Sequence, residues 1–266
     1  MTFDRSTINE KLRKLGLEPT KSLGQHFLID PDIAEREVEE ANISRDDTVL
    51  EIGPGLGILT DEIVKRAGNT IAIEKSTPLY GYLEGRYEGK NFEIIEGDVL
   101  DIELPLFDKV MSNTPFNISS PLTFRLLDRD FKAAVMMYQK EFADRMVAEP
   151  GEDDYSRLSV MVSVKAKVKR LFDIPRSKFY PPPRVDATVV KMVPSEPDFN
   201  LKYHEKFSEV VRELFNYRRK KISNSLKTGF GIKGKNIPYK DYRVGNITPG
   251  EINEIVEYLV VNDLLE

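Results

Sequence analysis

Val49-Leu50-Glu51-Ile52-Gly53-Pro54-Gly55-Leu56-Gly57 is the stretch that decides the fold. A short apolar run stops at glycines on alternate positions, so it reads as a buried strand followed by a tight turn. The next residues, Ile58 to Arg66, have the composition of a helix. Strand, glycine turn and helix in that order open a layer of parallel strands covered by helices. Such a turn lets backbone approach a ligand closely, although one glycine alone would signify only a tight connection.

Working outward, the same alternation continues. Thr70 to Glu74 is a second buried strand ending in an acid, and Leu79 to Tyr87 a helix. Phe92 to Asp98 is a third strand, again ending in an acid, and Lys109 to Ser112 a fourth that leads into Asn113. Pro121 to Leu127 suits a helix with proline in its first turn. Ala133 to Tyr138 is a fifth strand and Lys140 to Val147 a helix; Lys167 to Ile174 and Ala187 to Val193 are two further strands joined through Tyr180-Pro181-Pro182-Pro183. Beyond Pro194-Ser195-Glu196-Pro197 only helical patterns remain. The expectation is an α/β, Rossmann-like domain over residues 1–195 with a mixed, mainly parallel sheet, and a small helical domain over 196–266.

Ligands of such sheets bind at the carboxyl ends of the strands, where Gly53, Gly55, Glu74, Asp98 and Asn113 fall. The glycine spacing is G-x-G-x-G rather than the G-x-G-x-x-G of dinucleotide sites, and the loop carries no basic residue. Glu74 can accept hydrogen bonds from ribose hydroxyls and Asp98 from an adenine amino group, while Glu51 caps or orients the loop. A nucleoside with a cation and no phosphates fits this set. S-adenosylmethionine is therefore the expected cofactor, and NAD fits less well. Downstream, Asn113-Thr114-Pro115-Phe116 combines an amide oxygen, a carbonyl before proline and an aromatic face. Together these can hold a planar base and accept hydrogen bonds from its exocyclic amine. Methyl transfer to a base nitrogen is the chemistry the two motifs share.

Composition bounds the partners. The chain of 266 residues is 40% hydrophobic and 31% charged, with no cysteine and only His26 and His204 as imidazoles. Disulfides and thiolate metal sites are excluded, and no metal is expected. No apolar run is long enough to span a bilayer and the N-terminus lacks a secretion-signal core, so a cytoplasmic protein is expected. The net charge is −5, which argues mildly against nucleic acid. However, Arg212, Arg218, Arg219, Lys220, Lys221 and Lys227 form one basic cluster, and Lys165, Lys167, Lys169, Arg170, Arg176 and Lys178 another. Phosphate binding follows the local field, so these remain compatible with RNA, though they also suit solvated faces.

Several motifs in this order resemble the ribosomal RNA adenine dimethyltransferase family that acts on small-subunit rRNA. Lys21-Ser22-Leu23-Gly24-Gln25-His26-Phe27-Leu28 is similar to the family's N-terminal motif, and the glycine stretch, Ala72-Ile73-Glu74 and Gly97-Asp98 to its cofactor motifs. Gln139-Lys140-Glu141, Tyr155 to Val160, Phe179 to Asp186 and Phe215 to Ile222 resemble further signatures. The resemblance implies that Gln25, His26, Leu28, Gly53, Glu74, Asp98 and Asn113 contact the cofactor. It implies dimethylation of adenine N6 amines in a pre-ribosomal small subunit; Phe116 is expected to stack on the target base, and, with no sign of an obligate interface, a monomer is expected. A helix from Arg218 to Lys227, with Arg218, Arg219, Lys220 and Lys221 at its start, is expected to contact RNA phosphates. His26 stands where many relatives have Asn, and Thr114 and Phe116 where the family usually has Leu and Tyr. The competing readings are a methyltransferase for another adenine or for a protein glutamine, and an assembly or RNA-binding factor with little catalysis.

Overall fold

Asp4 begins the first ordered element: its side chain accepts from Thr7 N at 2.9 Å and caps helix α1 (Arg5–Lys14). The structure, a computed structural model, describes residues 3–17, 26–234 and 236–265. The chain divides into two compact units, Met1–Ala143 with Lys169–Pro194, and Asp144–Val168 with Ser195–Glu266.

In the first unit α1 is followed by β1 (Phe27–Leu28), α2 (Pro31–Glu40), β2 (Thr48–Ile52), α3 (Thr60–Arg66), β3 (Asn69–Glu74) and α4 (Thr77–Arg86). Then come β4 (Phe92–Glu96), β5 (Lys109–Asn113), α5 (Ser119–Leu127) and β6 (Ala133–Gln139). After α6 (Lys140–Val147) and α7 (Arg157–Ser163) the chain returns through β7 (Ala166–Ile174), β8 (Phe179–Tyr180) and β9 (Ala187–Pro194). The main sheet has seven strands in the order β4-β3-β2-β5-β6-β9-β7. Pairings among β4, β3, β2, β5 and β6 are parallel, and β9 runs antiparallel to β6. This is the expected Rossmann-like arrangement, mixed and mainly parallel.

Burial follows position in that order. β2, β5 and β6 are buried along nearly their whole length, whereas the edge strands β4 and β7 alternate with solvent. An edge location explains why Lys167, Lys169 and Arg170 are tolerated in β7. Ile8 and Leu12 of α1, Val38 of α2, Ile63 of α3, Leu79 of α4 and Val49, Met111 and Val135 of the strands share one apolar core. The short β1 pairs antiparallel with β8, Phe27 opposite Tyr180 and Leu28 opposite Phe179.

The second unit is helical: α7 with α8 (His204–Phe215), α9 (Ile222–Phe230) and α10 (Pro249–Val261). Phe207, Val210 and Leu214 of α8 pack with Leu226 of α9 and Ile252 and Val256 of α10. Thr248 and Glu251 form a reciprocal capping box at the start of α10.

Four sequence expectations are corrected. Residues 144–168 belong with the helical unit rather than with 1–143, because Tyr155, Val160 and Val164 lie in its core and Tyr155 Oη donates to the Ile247 carbonyl at 2.8 Å. β4 ends at Glu96, so Asp98 lies beyond the strand, and α3 starts at Thr60 rather than Ile58. No helix runs from Arg218 to Lys227: residues 216–221 are a turn and α9 starts at Ile222.

That turn is pinned by Arg218. Its Nε donates to the Tyr155 carbonyl at 2.7 Å, and its Nη2 bonds the Glu152 carbonyl. Arg218→Ala should therefore lower the unfolding free energy by about 1–3 kcal/mol, because it strips donors from two carbonyls. Arg219→Ala, at an exposed neighbour, should stay within about 0.5 kcal/mol. Urea unfolding of both variants checks the difference.

Candidate active site

Parallel register brings the site together. Ile52 lies opposite Ile73 and Glu51 opposite Met111, so continuing both registers, by one residue and by two, places Glu74, Gly53 and Asn113 at one level. Gly53 N donates to the Ile73 carbonyl at 3.0 Å, and Ser112 Oγ to the Ile52 carbonyl at 2.8 Å, holding that alignment past the strand ends. The chain then turns through Gly53, Gly55 and Gly57 at φ of 67°, 60° and 87°. At Gly57 a Cβ would sit 2.6 Å from Tyr87 Oη, a clash no side chain could avoid without moving that ring. At Gly55 the neighbour is the Phe27 ring, 3.3 Å from where a Cβ would stand, so Phe27 lies directly against the loop.

Glu74 is only 7% exposed and is held by backbone on both oxygens: Gly55 N on Oε2 at 3.2 Å and Ser76 N on Oε1 at 2.8 Å. Burial raises its pKa, and the backbone donors partly oppose that. Each oxygen keeps a second lone pair for a ligand hydroxyl.

Glu74, Gly53, Gly55, His26, Leu28 and the Asn113–Phe116 turn all line one cleft, which encloses about 860 Å³ with its open mouth included. Asn113 Oδ1 is buried and has no hydrogen-bond partner among the described residues. Thr114 is 2% exposed, and its hydroxyl donates to Ser112 Oγ at 3.3 Å, away from any base-holding role. Pro115 and Phe116 complete the wall. The Phe116 ring is tilted 39° to His26 at 5.8 Å between centroids, and His26 Nδ1 donates to the Pro181 carbonyl at 2.7 Å.

Two expected contributors stand apart. Asp98 does not line this cleft. Lys75 Nζ, 2.7 Å from Oδ2, and Leu100 N, 2.9 Å from Oδ1, hold its carboxyl below the usual carboxylate range. Gln25, with residues 21–24 of the same motif, lies outside the described residues. Phe3, Ile8 and Phe27, none of them an expected site residue, also line the cleft. Ile8, Leu12 and Leu15, spaced as one helical face behind the Asp4 cap, are the signal that α1 packs onto the site.

Beneath the loop lie two buried carboxyls. Glu51 accepts from Thr60 Oγ1 at 2.7 Å, and burial pushes its pKa up to about 8. Glu37 is fully buried, and neither of its oxygens has a partner among the described residues. Burial raises its pKa well above normal, and the neighbouring Glu51 adds to the rise. Burial thus favours the neutral form of both, and Glu51 is tied through Thr60 to the head of α3.

The basic residues of the second unit are arranged differently from one another. Arg219 and Lys220 are exposed, and Lys220 Nζ lies 4.4 Å from the Tyr217 ring centre. Lys221 pairs with Asp241 at 3.0 Å, and Arg218 is committed to backbone carbonyls. Among the described residues no cluster of His, Asp or Glu could hold a metal ion, and no helix is long and apolar enough to cross a membrane.

Residues 17–260 match the family model described as ribosomal RNA adenine dimethylase. The chain is 43% identical to the "Probable ribosomal RNA small subunit methyltransferase A" of Thermococcus sibiricus over 98% of its own length and 99% of that protein's. It is 44% identical to the protein of the same name from Pyrococcus furiosus, over 96% and 97%. Among solved structures, a dimethyladenosine transferase from Plasmodium falciparum superposes with a TM-score of 0.79 at 31% identity, covering 90% of this chain and 98% of that one. The 23S rRNA methyltransferase ErmE superposes at 0.69 with 25% identity, covering 88% and 99%.

The buried carboxyls set a pH dependence. The folded chain keeps protons that the unfolded chain releases near pH 4.5, so the contribution of these two groups to stability is fullest below that pH and declines toward pH 8. Glu37→Leu should remove an unpartnered buried carboxyl, raise the melting temperature and flatten that decline, with the larger gain at pH 8 than at pH 5. Thermal melts across this range test the expectation.

Proposed function

This chain belongs to the ribosomal RNA adenine dimethylase family, and from that premise we propose that its cleft binds S-adenosylmethionine and holds an adenine of small-subunit rRNA for N6,N6-dimethylation. The chain is a ribosomal RNA methyltransferase; the choice of cofactor, of two adjacent adenosines near the 3′ end, and of a pre-ribosomal subunit in the cytoplasm are our reading, as is action as a monomer.

The lining residues suit that cofactor. Glu74 offers lone pairs for ribose hydroxyls, the left-handed glycines leave room for close approach, and no Lys or Arg among the described lining residues awaits a phosphate. Bound there, S-adenosylmethionine supplies a methyl group already activated on a sulfonium. Gly53, Gly55, His26 and Leu28 would enclose it.

The observation that carries the reading is the buried Asn113 Oδ1, which accepts no hydrogen bond among the described residues. A buried amide oxygen without a donor costs about 1–3 kcal/mol, which an incoming N–H removes. The N6 lone pair of adenine is delocalised into its ring and is a poor nucleophile. Asn113 Oδ1 and the Thr114 carbonyl, accepting the two amine hydrogens, favour a pyramidal nitrogen with its lone pair turned outward. Phe116 holds the base by its face, so the base must be unpaired or flipped out of any helix. Catalysis is then positioning and desolvation, and the side chains named here include no general base.

Undermethylated small subunits incubated with this protein and labelled S-adenosylmethionine should acquire label at adenine, located by nucleotide mapping. Asn113→Ala should lower the rate by at least about 100-fold while cofactor binding, read by calorimetry, persists. Label in large-subunit RNA or in protein instead would move the assignment to another acceptor.

After one methylation the amine has a single hydrogen left, so the base must reorient within the turn. Thr114 leaves more room there than leucine. Thr114→Leu is expected to slow the second methylation more than the first and to raise the mono- to dimethyl ratio. Quantifying both nucleosides after digestion checks this.

A further inference from the structure

Arg243 and Tyr242 lie far along the sequence from the basic turn at 216–221, yet the fold laces the two segments together. Val244 N donates to the Lys220 carbonyl at 3.1 Å and Gly245 N to the Arg218 carbonyl at 2.9 Å. In return, Ile222 N donates to the Tyr242 carbonyl at 2.9 Å and Ser223 N to the Lys240 carbonyl at 3.0 Å. Lys221 and Arg243 face each other as an isolated antiparallel bridge, and Arg243 Nη1 donates to the Arg219 carbonyl at 3.1 Å. The N–H groups at the start of α9 are thereby consumed by carbonyls, so anions must be met by side chains.

Those side chains are basic and fixed at their backbones. Arg219, Lys220 and Arg243 are exposed, and the only acid within the two segments, Asp241, is paired with Lys221. Among them Tyr242 is 54% exposed. Its ring meets Tyr239 edge-on at 5.6 Å and 66°, and Tyr239 Oη is anchored to Glu254 Oε2 at 2.7 Å. A single exposed tyrosine is ordinary. An exposed tyrosine braced by a second ring, on hydrogen-bonded backbone, amid cations, is a surface for stacking a base while its phosphates meet charge.

We propose that the laced segments 217–221 and 239–243 form a single-stranded RNA platform, on which Tyr242 stacks an unpaired base and Arg219, Lys220 and Arg243 take the flanking phosphates. This rests on the RNA reading above and extends it to residues outside the basic turn. A duplex hides its base faces, so the platform selects strand over helix.

The chain contains no tryptophan, so Tyr242→Trp introduces a lone indole at the proposed contact. With no cofactor present, titration with a mixed-sequence oligoribonucleotide of about 12 residues should quench its emission, and a duplex of equal length should not. Tyr242→Phe should bind as the native chain does, and Tyr242→Leu roughly 5- to 150-fold more weakly with an unchanged salt slope. Arg243→Gln should reduce the slope of log affinity against log salt by about 0.7. A merely structural role for either residue would not separate these effects. Absence of quenching, or equal affinity of Tyr242→Leu and native chain, overturns the platform. Methyl transfer without quenching sinks the platform alone; quenching without methyl transfer leaves it standing and removes the proposed reaction.

Discussion

The register of β2 between β3 and β5 is the constraint on which the site depends. The strand order turns back at β2, so the chain leaves it on one side toward β3 and β4 and resumes on the other at β5. Hydrogen bonding to both neighbours then sets Glu74, Gly53 and Asn113 side by side, although they are distant in sequence. A slip of one residue in either pairing would turn every side chain of that strand to the opposite face. It would carry Asn113 or Glu74 out of the cleft. The buried apolar strands resist such a slip, so the core and the site are held by the same pairing.

Around that alignment the protein keeps polar groups in costly places. Asn113 Oδ1 lacks a partner among the described residues, and Glu37 and Glu51 are carboxyls whose pKa values burial raises. Their roles differ. Glu51 is joined to Thr60 at the head of α3, which ties the glycine loop to its helix. Asn113 lines the cleft, and in the proposed reaction its oxygen would regain a hydrogen bond from the target amine. Glu37 has no partner among the described residues, and the structure offers no account of why a carboxyl occupies that position.

In the second unit, local arrangement matters more than total charge. A chain of net charge −5 presents Arg219, Lys220 and Arg243 on one rigid scaffold. Neighbours in sequence do unlike work there. Arg218 supports the turn through carbonyls of residues 152 and 155, while Arg219 leaves its guanidinium to solvent. Adding residues 144–168 to the helices has a similar basis: Tyr155 and Val160 complete a core that 195–266 shares.

The sequence by itself determined the alternation of strands and helices, the glycine turn, and the placing of Glu74 and Asn113 at strand ends. These are local matters: apolar periodicity selects the element, and glycine at positive φ selects the turn. That residues 113–116 act together as one wall of the cleft was equally legible, since they are adjacent in the chain. Tertiary structure alone decided that Lys75 engages Asp98, that Arg218 serves the fold, and that Phe27 and Leu28 reach the cleft by pairing with Tyr180 and Phe179. It also joined Tyr242 and Arg243 to the basic turn. Each of these depends on contacts between segments remote along the chain, and residue type does not reveal which of several possible partners a charged or aromatic side chain will meet.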